Sequence, residues 1–167
     1  MAPGAPLEQL ISPEGPAYKR LLDIAQVDGR FAPELICASI RHIVEAWEES
    51  ATGDRTPLQL AASQSAATAL LHPTVENRTA KLSLRDAALE RWEPAGLELG
   101  AVPPRVSVEI EVSAVRSLWS QAAVHIGGSI DRRRAIRMTW TLALTDRGQP
   151  PWQLLASTSP ARGIPHA

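Results

Sequence analysis

The residues able to do chemistry in this chain are few and scattered. The histidines are His42, His72, His125 and His166, and none has another His or Cys three or four positions away. Zinc sites need such paired spacing, because two donors must reach one ion from one turn of chain. The pattern points to no metal site and no cofactor. Cys37 is the only cysteine and lies at the edge of an apolar stripe. A thiol placed there behaves as a small hydrophobe, and no cation is evident to make it a nucleophile.

Asp86 is the one carboxylate with a catalytic reading. It shares the alternation of Leu82 and Leu84, so it could face an apolar interior. There its pKa would rise and it could act as a general base. The competing reading is a surface bulge beside Arg85, favoured because a lone ionisable group is weak evidence without a partner. Tyr18, the only tyrosine, sits in a helical segment and suits no oxyanion role. No phosphate-cradling glycine loop and no nucleophile elbow is present.

Binding chemistry has more candidates. Arg132, Arg133, Arg134 and Arg137 form the one basic cluster. Such runs are usually solvated turns, but they also suit anionic lipid or an acidic protein surface. Trp119 lies near a strand end and reads as a contact residue if exposed. Trp47, Trp140 and Trp152 read as core. The chain has 17 Lys+Arg against 18 Asp+Glu, a net charge of −1. That balance argues against nucleic acid, whose binders carry a basic surplus.

These residues need a scaffold, and the composition supports one. The chain has 167 residues, 44% hydrophobic and 21% charged, enough for one domain with a real core. Residues 1–15 read as an extended Pro-rich arm, 16–158 as a single α+β domain and 159–167 as a C-terminal tail. The start lacks the pattern of a secretory signal, and no stretch is apolar enough to span a bilayer.

Helices are expected at 16–26, 33–50 and 57–71, the first two opened by Pro16 and Pro33. In the second, Ile36, Ile40, Ile43, Val44 and Trp47 make one apolar stripe. The period then shifts to two. Strands are expected at 105–115, 122–130, 134–145 and 151–157, with Asp146-Arg147-Gly148 as a turn before the last. Residues 80–94 fit either a helix or a strand bulged near Asp86, and the strand is preferred. Short turns between strands imply an antiparallel meander with its polar face outward. The arginine cluster then sits at the start of a hairpin. Parity puts Arg133 and Arg137 on the polar face and Arg134 toward the apolar one. Glu109 and Glu111 are placed to pair with Arg133 or Arg137.

N-terminal helices packed on a curved antiparallel sheet resemble the cone-shaped, cystatin-like fold of the nuclear-transport-factor-two-like superfamily. Three segments are similar to one branch, the domain of the mitochondrial inner-membrane translocase's matrix subunit (Tim forty-four) and its bacterial relatives. They are DGRFAPELICASIRHIVEAW from Asp28 to Trp47, GSIDRRRAIRMTWTLAL from Gly128 to Leu144, and PWQLLAS from Pro151 to Ser157. The basic, membrane-inserted leader of the bacterial relatives is not seen.

The resemblance implies a domain that holds something, commonly a membrane surface or a membrane protein complex. The expected function is a non-enzymatic binding or assembly domain, an accessory subunit of a larger protein complex at or near a membrane. It would act in the cytoplasm or an organellar matrix, peripheral to the membrane's inner face. Homodimerisation stays open. The alternatives are a small isomerase- or hydrolase-type enzyme using Asp86 and a carrier of apolar small molecules.

Overall fold

A computed structural model describes residues 15–75, 78–145 and 150–158 of the chain. The Pro-rich arm through Glu14, the tail from Ser159 and the expected Asp146-Arg147-Gly148 turn lie outside the described residues. The described chain is α+β: helices first, then a four-stranded antiparallel sheet.

Helix α1 runs Pro16–Ala25 and α2 runs Pro33–Thr52, each with proline in its first turn. A single 3₁₀ turn, Gly29–Phe31, joins them. Asp28 holds that turn, accepting from the Arg30 backbone N–H at 3.0 Å and pairing with its guanidinium at 2.7 Å. The stripe Ile36, Ile40, Ile43, Val44 and Trp47 is buried throughout α2.

The helix expected over 57–71 is two helices, α3 (Thr56–Ala61) and α4 (Gln64–Leu71). The break is a tertiary effect. Ala62 turns extended and bridges Leu154, and the Ser63 N–H donates to the Leu154 carbonyl at 2.8 Å. The Ser63 hydroxyl then caps α4 by accepting from the Ala66 N–H. A serine N-cap suits a helix start, but the run of alanines around it hides the signal.

A two-residue pair, β1 (Thr74–Val75) and β2 (Arg78–Thr79), leads into the sheet. The main strands are β3 (Lys81–Glu98), β4 (Arg105–Trp119), β5 (His125–Leu144) and β6 (Trp152–Thr158), in spatial order β3-β4-β5-β6. Residues 80–94 are strand, with the bulge at Asp86, whose φ is 55°. Two further register shifts bend β3.

The strands expected at 122–130 and 134–145 are one. Ala122 and Val124 belong to the turn before it, closed by Ser120 and by Ala123 at φ 62°. The pairing of β5 with β4 jumps between Gly128 (opposite Ser117) and Arg133 (opposite Val115). Residues 129–132 therefore bulge out opposite Arg116 alone. The arginine cluster is not at the start of a hairpin: Arg132 ends the bulge, and Arg133 and Arg134 open the long second segment of the strand.

The helices seat against β3 and β6. Three links fix them. Ser39 in α2 donates to the Leu35 carbonyl and accepts from the Trp152 N–H of β6. Trp152 donates from its indole to the Arg30 carbonyl at 2.8 Å and stacks edge-on against Phe31. Trp47 donates to the Leu70 carbonyl, tying α2 to α4.

Gly128 sits at φ +70°, and a Cβ there would lie 2.2 Å from the Arg116 carbonyl oxygen. Only glycine allows the strand to approach that closely while turning into the bulge. Gly128→Ala should therefore cost about 1–3 kcal/mol in urea denaturation. Gly127→Ala should cost less, since its Cβ meets only the Leu118 side chain at 3.2 Å.

Candidate binding surface

The interior is apolar and closely filled. Trp47, Trp92, Trp140 and Trp152 are all essentially buried, with leucine, isoleucine and valine around them. Among the described residues the buried polar side chains are Ser39, Ser50 and Ser117. Ser39 and Ser50 serve backbone N–H groups, of Trp152 and Leu58. The indole N–H groups of Trp92 and Trp140 have no hydrogen-bond partner among the described residues. Cys37 is buried against this core, and desolvation pushes its thiol pKa up, with Arg41 and the nearby Trp92 N–H opposing weakly. That is the reverse of an activated nucleophile.

Asp86 does not face this interior. Its bulge turns the side chain outward, 65% exposed and 3.8 Å from Arg85. The parity argument fails because Asp86 and Ala87 together stand opposite Ala114, so that Asp86 is turned out by the bulge while Ala87 packs against the core. The carboxylate therefore meets solvent, and no general base faces the apolar interior at this position. The histidines stay apart: His42 is exposed on α2, His72 ends α4 and His125 is exposed on β5. No group of three or more His, Cys, Asp or Glu among the described residues could hold a metal.

The uncovered face of the sheet carries ordered charge. Arg91, Glu111 and Arg137 are cross-strand partners, and Arg137 meets Glu111 at 2.9 Å as the alternation predicts. That pair is solvated and is worth about 0.2–1 kcal/mol. Glu109 pairs otherwise than expected: it lies opposite Glu93, not an arginine. Arg133 instead donates to the Ser113 hydroxyl at 2.7 Å, with Glu90 at 4.0 Å. These rows line a shallow groove of about 330 Å³.

The distal half of the β4–β5 hairpin is the region with most to offer a partner. On its β5 strand residues 130–135 are all exposed. Ile130 and Val124 remain 55% and 58% exposed. Trp119 is half-buried on the uncovered face, bonded to Ser117 and edge-on to His125 at 5.2 Å. Arg85 reaches across from β3 to the Ile130 carbonyl at 2.9 Å and pins the bulge.

Arg134 keeps its expected parity, opposite the buried Ala114, yet solvent reaches it because no helix lies above. Diagonal to it on the same face is Arg116, opposite the buried Leu84. Arg116 is half-buried, and desolvation alone lowers its pKa. Neither guanidinium has a hydrogen bond or ion pair among the described residues. Arg116 escapes a sequence reading that ends the strand at residue 115. Following the alternation Ala114, Arg116, Leu118 two steps further would have found it. Arg132 is exposed in the bulge, where its backbone N–H donates to Ser129.

The sequence matches no protein-family model and no curated protein. No helix among the described residues is long and apolar enough to cross a membrane.

The Glu93–Glu109 pair gives a pH test. A hydrogen bond that protonated Glu109 donates to Glu93, with desolvation and like charge behind it, raises the Glu109 pKa. The folded protein thus holds this proton more tightly than the unfolded chain. Stability contributed by the pair falls as pH rises from the ordinary glutamate range through the raised value. Glu93→Gln should raise the melting temperature at pH 7, by the equivalent of a few tenths of a kcal/mol. The gain should shrink below the glutamate range, as followed by thermal unfolding across pH.

Proposed function

We propose that this chain is a non-enzymatic binding domain, an accessory part of a larger protein assembly. Its contact surface on this reading is the distal β4–β5 hairpin. One observation carries the reading. The helices seat on β3 and β6, while the distal part of β5 is exposed, and Arg116, Arg132 and Arg134 there have no side-chain counter-charge among the described residues. Holding desolvated positive charge without an internal partner is costly, and an acidic protein surface would repay it.

The resemblance to the cone-shaped superfamily, and to its Tim forty-four branch, supports the same reading. On it the partner complex is membrane-borne, and the domain works at the membrane's inner face in the cytoplasm or an organellar matrix. The buried, unpaired Cys37 suits such a reducing compartment.

The test places a photo-crosslinking amino acid at Arg132 and, separately, at Glu45 on the exposed face of α2. In native cells the Arg132 position should give a specific protein adduct and the Glu45 position should not. Recovery of the protein as a free monomer or homodimer from both would overturn the proposal.

A further inference from the structure

Between Arg133 and Met138, β5 has β4 on one side and, among the described residues, no strand on the other. β6 joins only at Thr139, opposite Thr158. Alternate N–H and C=O groups along this stretch therefore point away from the sheet. It is as long as an ordinary strand.

The same stretch concentrates the unbalanced charge. Arg134 lies on the helix-side face with Arg116 diagonal to it, and Arg132 stands in the bulge just before. On the opposite face Arg133 and Arg137 reach Glu90 and Glu111. Arginines on an open edge can simply guard it against aggregation. Guarding does not account for Arg116, which is one strand in from the edge and half-buried.

We infer that the open edge of β5 from Arg133 to Met138 accepts an extended acidic segment of a partner protein as an added strand. This rests on the partner-binding reading above and names the partner's chemistry. Main-chain hydrogen bonds supply the affinity, and alternate carboxylates set the register. Carboxylates on the helix-side face meet Arg134 and, beyond it, Arg116. Those on the other face meet Arg133. A second copy of this chain fits poorly, since edge-to-edge pairing would set two arginine clusters side by side. The chain's own residues 159–167 contain Arg162, two prolines and no Asp or Glu. They bring neither the charge nor an unbroken row of donors.

The test titrates the full isotope-labelled chain with a capped peptide of alternating Glu and Thr. A Lys and Thr peptide is the control. Alternate amides from Arg133 to Met138 should become protected from exchange on adding the Glu peptide alone. Added salt should weaken binding. Arg134→Glu and Arg116→Gln should each weaken it, the first by about tenfold or more. Arg134 is exposed, so that variant should keep its circular dichroism spectrum.

Equal binding of the two peptides would overturn the inference, as would protection along the outer edge of β3. Edge amides already protected without peptide would show the chain's own strand there. Protection that grows with protein concentration would show a second copy. Either result overturns it. So would binding of phosphatidylserine vesicles through the arginines with no response to the Glu peptide. A protein cross-linked at Arg132 together with no strand binding would sink this inference and leave the proposed function standing.

Discussion

A strand rises more than twice as far per residue as a helix, and this molecule is shaped by that mismatch. Helix α2 has 20 residues and strand β4 has 15. At their usual rises they reach about 30 Å and about 50 Å. One layer of short helices therefore cannot cover such a sheet. The helix-side face is buried along most of β3 and β4, Leu82, Leu84 and Leu118 included, whereas β5 from Ile130 to Ala135 is exposed. The composition of β5 follows this division, with Met138, Trp140, Leu142 and Leu144 buried and 130–135 exposed.

The buried half is held by few polar contacts in specific places. Ser39, Trp152 and Trp47 each spend a side-chain hydrogen bond on backbone from another element. Those bonds fix where the helices sit, while the apolar area supplies the driving force. Because the helices are anchored to β3 and β6, the reach of their cover is fixed too. On β5 the boundary between covered and uncovered strand then falls near Ile136. Beyond it, Arg134 and its diagonal neighbour Arg116 on β4 carry charge at positions of inward parity. The same division explains why the interior offers no chemistry. Its side chains were spent on packing, and the polar groups with spare capacity lie outside.

Bulges convert this simple geometry into a site. At Asp86 one extra residue turns a carboxylate from the core to the surface. At 129–132 the chain steps aside opposite Arg116, a turn made feasible by glycine at position 128. Arg85 then closes over the bulge. Among the described residues the edge of β5 is open from Arg133 to Met138, since β6 pairs with it only from Thr139.

The sequence by itself determined the class of fold. Period-3.6 stripes and then period-2 alternation are local signals, and burial of one face follows from them directly. It located α1, α2 and β6 closely and the start of β4, and it put Glu111 and Arg137 on one face, since parity fixes which residues share a face. Only the tertiary structure decided the rest. Ala62 and Ser63 leave the helix because β6 offers them hydrogen bonds, a partner more than ninety residues away. Asp86 and Glu109 found their surroundings through register shifts, and a shift of one residue reverses or displaces every later contact. The exposure of Arg134 and the isolation of Arg116 depend on where the helical layer stops. No local pattern encodes that limit, because it is set by anchoring between elements far apart in the chain.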